Sequence, residues 1–119
     1  MNTRHIVSLF DDAGFQLITL LGYPFPDSID EGIGWADVHA ELRFLREIRA
    51  GAALVVYTKI GKIGSKSFTC RHDLYMVGGG VCHATMQVAI VRFDLKTRSA
   101  IPLPPEFRER AGPYRSLDR

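Results

Sequence analysis

The chain has 119 residues, of which 46% are hydrophobic and 24% are charged, and its formal net charge is +2. This is an ordinary globular composition, and the length predicts one domain over residues 1–119. Acidic and basic residues are interspersed without a basic stripe, which argues against nucleic acid as the main partner, and without a signal-peptide pattern at the N-terminus we expect a cytoplasmic protein.

Residues 1–22 predict one long helix. At helical spacing its polar residues fall on one narrow stripe: His5, Ser8, Asp12, Gln16 and Thr19. Apolar residues cover the remaining surface, so we expect the helix to be enclosed. Charged and polar residues break the apolar run too often for a bilayer span, and the enclosure should therefore be protein. Gly22 is predicted to end the helix as a C-cap.

Asp11 lies off that polar stripe, on the apolar side of the predicted helix. A buried carboxylate needs partners or a shifted pKa, and such groups gather at functional sites. The alternative is a partly exposed acid that interacts favourably with the helix dipole. Both interpretations stay open at the level of sequence.

Antiparallel strands are predicted between residues 35 and 95, after a loop at residues 23–34 that contains proline and glycine. Alternation from Asp37 to Phe44 predicts a first strand with one apolar and one polar face. The apolar face would hold Val38, Ala40, Leu42 and Phe44, and the polar face Asp37, His39, Glu41 and Arg43.

Three more strands are predicted over residues 53–63, 66–76 and 81–94. Gly78-Gly79-Gly80 predicts a hairpin between the last two. The fourth strand is long and apolar, which predicts a central position in the sheet. Residues 96–119 form a proline-rich tail, with a short helical turn expected at residues 106–110.

Cysteine and histidine offer weak signals for chemistry. Cys70 and Cys82 are too few for a disulfide scaffold, and the hairpin places them far apart along the ladder, so both should be reduced thiols. His72 shares a strand face with Phe68 and Cys70, which favours a hydrogen-bonded core histidine over a catalyst. The four histidines show no metal-ligand spacing, so no metal is expected.

Several segments of the chain together resemble one known family. They are Met1-Asn2; Arg4-His5-Ile6-Val7-Ser8-Leu9-Phe10-Asp11-Asp12-Ala13; residues 41–51; Lys66-Ser67-Phe68 with Arg71-His72; and Phe93-Asp94 before Ile101-Pro102-Leu103-Pro104. In this order they resemble the hotdog-fold acyl-CoA thioesterases, in particular the hydroxybenzoyl-CoA thioesterase-like branch. Met1-Asn2 is similar to the end of the turn that precedes the family's helix, so the family's first strand and its Asp have no counterpart in the sequence.

The resemblance implies an α+β hotdog fold, an antiparallel sheet curled around one long N-terminal helix. It implies a homodimer or homotetramer with a site between subunits. The implied substrate is an acyl-CoA, with coenzyme A as part of the substrate and no further cofactor. Neither a membrane nor a nucleic acid is expected as a partner.

Hydrolysis of a thioester needs a polarised carbonyl and an activated water. Unpaired backbone N–H groups at the helix start, around Asn2, Thr3, Arg4 and His5, are suited to bind the oxyanion. Asp11 is the first candidate for the general base and Asp12 the second. The strand acids Asp37 and Glu41 either contribute across a dimer or simply face water.

Three cations are candidates for binding the phosphates of coenzyme A. Lys62 and Lys66 flank a predicted tight turn, and Arg71 follows in the next strand. The alternative is that they are solvated charges near a turn.

Two other function classes fit the same residues. A non-catalytic module could keep the hotdog groove and bind acyl-CoA or acyl-carrier without turnover. An unrelated α+β domain with a helix packed in a sheet would have no thioester chemistry.

Overall fold

The computed structural model describes residues 3–23, 32–49 and 51–115. One helix packs on one face of an antiparallel sheet, which is an α+β arrangement. The elements in chain order are α1 (Thr3–Leu20), β1 (Ile33–Phe44), β2 (Leu54–Ile63), β3 (Ser67–Met76), β4 (Cys82–Asp94), β5 (Ser99–Ala100), α2 (Phe107–Ala111) and a 3-10 turn at Gly112–Tyr114. Predictions for residues 1–2, 24–31, 50 and 116–119 lie outside the described residues.

The end of α1 has a Schellman motif. Gly22 has a φ of +97°, its N–H donates to the carbonyl of Thr19 at 2.9 Å, and the N–H of Tyr23 donates to Ile18 at 3.1 Å. Glycine adopts this left-handed conformation without a Cβ penalty, so the predicted C-cap is confirmed.

The sheet covers α1 on one side only. The buried apolar residues of α1 are Ile6, Phe10, Leu17 and Ile18, and Leu21 directly after the helix is also buried. Phe15 remains 49% exposed and Leu20 67% exposed, so the predicted enclosure of the helix is incomplete in the single chain. All five residues of the polar stripe are exposed.

The strands lie in the order β1-β4-β3-β2, and β5 adds two residues beside β4. The long strand β4 therefore lies between β1 and β3, as its apolar sequence predicts. The hairpin between β3 and β4 turns through Gly78, whose φ of +80° needs glycine.

A β-bulge in β1 places Asp37 on the face opposite to the predicted one, while residues 39–44 keep their predicted faces. Asp37 pairs with Ile90, yet His39 pairs with Ala89, the adjacent residue of β4, so Val38 is the extra residue. Residues paired across strands share a face of the sheet. Asp37 therefore lies on the helix-facing side with Ala40, rather than beside His39 as strict alternation predicts.

The tail contributes to the core through α2, which confirms the helical turn predicted near residues 106–110. The ring of Phe107 is 1% exposed and lies 4.9 Å from Phe68 and 5.9 Å from Trp35 between centroids. Arg110 donates to the carbonyl of Leu21 at 3.0 Å, which ties the tail to the end of α1.

Candidate active site

A small cavity lies between α1 and the sheet, with walls from β1, β3 and β4. Its lining residues are Phe10, Asp11, Gly14, Phe15, Ile18, Trp35, Asp37, His72, Met86, Val88 and Ile90. The volume is about 30 Å³, enough for one or two waters but not for an acyl group. The titratable side chains among these lining residues are Asp11, Asp37 and His72.

Asp11 is the first of these groups. It points from the middle of α1 to the mouth of the cavity, where its side chain also reaches solvent. Partial burial raises the pKa of its carboxyl, and the charge of Asp12 raises it further. A carboxylate with a raised proton affinity beside a water-sized space has the properties of a general base.

Asp37 reaches the same cavity because of the bulge in β1. The side chain of Asp37 is exposed to solvent, yet its partial burial against the cavity raises the pKa of the carboxyl, and the charge of Asp11 adds to this effect. Strict alternation predicts Asp37 on the polar face of the strand, so the sequence does not predict that Asp37 and Asp11 line the same cavity. An acid flanked by apolar residues in a strand was the only available signal, and alternation accounted for it equally well.

His72 forms part of the cavity floor and is the hydrogen-bonded core histidine that the sequence predicts. Its Nδ1 lies 2.8 Å from the Thr58 hydroxyl oxygen and its Nε2 lies 3.6 Å from the Cys70 sulfur. Burial lowers the pKa of the imidazole to about 4, so the ring is neutral at pH 7. Gly14 of α1 passes over this ring: a Cβ at Gly14 would lie 3.8 Å from Nε2.

Asp12 faces a different space from Asp11. It lines a groove of about 500 Å³ between α1 and β2, with Gln16, Thr58 and Tyr114 as further polar residues and leucine and valine as the apolar floor. This volume is in the range of small-molecule sites. The two predicted catalytic acids thus lie in two separate spaces.

The start of α1 is distant from Asp11 along the helix axis. Asp11 is eight positions after Thr3, and at 1.5 Å per residue this is about 12 Å. A base and an oxyanion site must each lie about 3 Å from the reacting group. Thr3, Arg4 and His5 of one chain therefore do not meet Asp11 of the same chain, and Asn2 lies outside the described residues.

The three predicted phosphate-binding cations lie away from this cavity. Lys62 and Lys66 are exposed around the turn between β2 and β3. Arg71 is on the sheet face opposite α1, where its Nε donates to Asp73 at 2.9 Å. The structure does not bring the three together with the helix start.

The described residues contain no cluster of three or more His, Cys, Asp or Glu able to hold a metal ion. Across the same ranges, no helix is long and apolar enough to cross a membrane. Cys70 and Cys82 are both free thiols, as the sequence predicts.

A sequence model of the thioesterase-like superfamily matches residues 1–111. The chain belongs to the thioesterase-like superfamily. This membership and the antiparallel sheet with its N-terminal helix confirm the hotdog fold that the sequence resemblance implies. No curated protein matches the sequence significantly.

Known structures of this superfamily share the fold at low sequence identity. A gentisyl-coenzyme A thioesterase is 22% identical with a TM-score of 0.81, and the match covers 94% of this chain and 86% of that chain. A 1,4-dihydroxy-2-naphthoyl-CoA thioesterase from Synechocystis is 19% identical with a TM-score of 0.84, covering 100% and 85%. A Staphylococcus aureus protein in complex with CoA is 17% identical with a TM-score of 0.86, covering 96% and 72%.

Proposed function

We propose that this protein is an acyl-CoA thioesterase that hydrolyses an acyl-CoA to a free acid and coenzyme A. The observation that carries the proposal is the position of Asp11 on a water-sized cavity of a hotdog domain. The similar thioesterases act on CoA esters, and a further similar structure contains CoA. Free thiols at Cys70 and Cys82 are compatible with a reducing compartment, and we place the reaction in the cytoplasm.

In the proposed reaction, the Asp11 carboxylate takes a proton from a water molecule in the cavity. The water oxygen attacks the thioester carbon, and the carbonyl oxygen becomes an oxyanion. When the carbonyl re-forms, the C–S bond breaks and the departing CoA thiolate takes the proton that Asp11 accepted, which restores the Asp11 carboxylate. Asp11 acts as the general base, while backbone N–H groups bind the oxyanion.

Because the helix start lies about 12 Å from Asp11, the first turn of α1 in the same chain cannot bind the oxyanion formed beside Asp11. We propose that a second copy supplies the first turn of its α1, which makes the active site a property of a homodimer or of a tetramer built from it. The acyl group would also gain space there, since the cavity of a single chain holds only water.

The strand β1 is the proposed dimer edge. Within the described residues β1 pairs with β4 alone, and Val38 and Phe44 are 61% and 52% exposed. A strand of 12 residues with an open edge is a template for pairing with another strand. The cavity is beside this edge, so a copy paired along β1 would lie next to Asp11.

Light scattering should give at least twice the mass of the chain, and a monomer at assay concentration would contradict the shared site.

The phosphates of coenzyme A would bind at exposed cations. Lys62 and Lys66 are the proposed pair, because both lie around one turn; Arg71 is already paired with Asp73. Charge reversal to Glu at Lys62 and Lys66 should raise KM for an acyl-CoA without changing kcat. The same changes should leave KM unaltered for an acyl-pantetheine that lacks the phosphates.

The first experiment compares Asp11→Asn with Asp12→Asn on short, long and aromatic acyl-CoAs, with free CoA measured by chromatography. Asp11→Asn should lower kcat by about 10²- to 10⁴-fold, the usual contribution of a general base. Asp12→Asn is the matched variant, since the two acids are adjacent on α1 but face different spaces. Loss of turnover only in Asp12→Asn would instead place the chemistry in the groove between α1 and β2.

A non-catalytic acyl-CoA binding module is the second candidate. It is favoured by the same separation between Asp11 and the helix start, which leaves a single chain without a complete site. In this case calorimetry would detect acyl-CoA binding to the wild type, while no acyl-CoA would be hydrolysed at any protein concentration.

A further inference from the structure

The bulge in β1 brings a second carboxyl group into the cavity that holds Asp11. Without the extra residue Val38, the side chain of Asp37 would lie on the outer face of the sheet with His39. Bulges often re-aim a side chain beside an active site. Here the bulged strand is also the proposed dimer edge, so both carboxyls would lie close to the partner copy.

Few charged groups surround Asp37. Asp11 is on α1, while β3 contributes His72 and Cys70. The imidazole is neutral at pH 7, and burial raises the pKa of the Cys70 thiol to about 12. From β4, the cavity wall is formed by apolar side chains only. No described cation therefore balances a second negative charge in the cavity.

We propose that Asp37 is a positioning residue for the thioester hydrolysis proposed above, and that it acts as the neutral partner of Asp11 in a carboxyl pair that carries one proton. Two carboxylates in one apolar-walled space repel each other, so the second proton is lost only at higher pH. With Asp37 neutral, Asp11 is the single charge and is free to take a proton from water. An ionised Asp37 would add negative charge where the oxyanion forms and would oppose it.

The test is the pH profile of kcat/KM for the wild-type chain and for Asp37→Asn, on whichever acyl-CoA the wild type hydrolyses best. The wild type should give a bell-shaped profile of kcat/KM against pH. Activity should fall on the acid limb because Asp11 is protonated, and on the alkaline limb because the shared proton is lost. Asn is neutral at every pH, so Asp37→Asn should keep the acid limb and lose the alkaline limb. An alkaline limb that persists in Asp37→Asn would overturn the inference.

A control variant and an NMR titration test whether the change in the pH profile comes from the pair of Asp11 and Asp37. Glu41→Gln removes an acid from the outer face of the same strand and should keep both limbs. Carboxyl ¹³C NMR of the full chain, recorded in an Asp12→Asn background that removes the coupling of Asp11 to Asp12, should show that Asp11 titrates in two coupled steps with Asp37 present and in one step with Asp37→Asn. One step with the same midpoint in both proteins would overturn the pairing. Hydrolysis of no acyl-CoA by any variant would overturn the proposed function, whereas hydrolysis with an unchanged alkaline limb would overturn only the role of Asp37.

Discussion

The Thr58 hydroxyl oxygen lies 2.8 Å from Nδ1 of His72, so a side chain of β2 orients a ring of β3 beneath the helix. His72 is 1% exposed and stacks on Phe10 with centroids 5.6 Å apart. Because burial lowers the pKa of this imidazole to about 4, folding is coupled to keeping the ring neutral.

This coupling predicts acid destabilisation. Between pH 6.5 and about 4 the unfolded chain binds a proton at His72 and the folded chain does not, so stability is lost as the pH falls through this window. The full effect is at most about 3 kcal/mol. Urea unfolding at pH 7 and pH 4.5 should therefore show a smaller loss of unfolding free energy in His72→Gln than in the wild type.

The exposed His39 provides the control for this prediction. His39→Gln should lose as much stability on acidification as the wild type. The comparison between variants at each pH also removes the contributions of Asp11 and Asp37, whose raised pKa values act with the opposite sign. Equal losses in His72→Gln and the wild type would show that the imidazole is not coupled to folding.

Gly14→Ala should stabilise the protein. Gly14 lies in the interior of α1 at a negative φ, and the nearest atom to an added Cβ is Nε2 of His72 at 3.8 Å, an ordinary contact. Alanine favours the helix over glycine by about 1 kcal/mol. Chemical denaturation should detect a gain of that order, and a loss of stability would mean that the helix needs the closer approach that glycine allows.

Gly22→Ala should have the opposite effect. Its φ of +97° is strained for any residue with a Cβ, at a cost of about 1 to 2 kcal/mol. The added Cβ would also overlap the Arg110 guanidinium, which donates to the Leu21 carbonyl. The double variant Gly22→Ala/Arg110→Ala separates these two causes. It lacks the overlap with the guanidinium, so its loss of stability relative to Arg110→Ala comes from backbone strain alone.

Much of the fold could be predicted because its signals are local. Gly22 ends α1 through its own left-handed conformation, and the glycines after β3 turn the chain into β4. The length and apolar character of β4 predict its central position in the sheet. The contacts of Phe107 with Phe68 and Trp35 could not be predicted, since they join three distant segments.

The candidate site was predictable only in part, for the same reason. Asp11 stood out because helical periodicity placed an acid on an apolar face. Asp37 did not, because a bulge shifts every residue on one side of it to the opposite face and Val38 carries no special backbone signal. The separation of Asp11 from Asp12 depends on the groove beside β2, which is a tertiary feature.

Phe107→Ala should cost about 3 to 5 kcal/mol of stability, the range for removing a buried aromatic ring. Phe107 is 1% exposed and contacts Phe68, so α2 is part of the core and not a loose tail. Glu109→Ala, an exposed substitution in the same helix, should have little effect. Thermal unfolding of both variants measures the difference, and equal midpoints would show that α2 does not pack in solution.

The two cysteines should differ in reactivity. Cys70 is 1% exposed and burial raises its thiol pKa to about 12, so the thiol stays protonated at pH 8. Cys82 is half-buried, with its thiol donating to the Ala84 carbonyl at 3.3 Å. Iodoacetamide and peptide mass spectrometry should therefore label Cys82 in the native protein and Cys70 only after denaturation. Cys82→Ser should remain unlabelled under native conditions. Equal labelling of both cysteines in the native wild type would mean that α1 leaves the sheet often enough to expose the floor of the cavity.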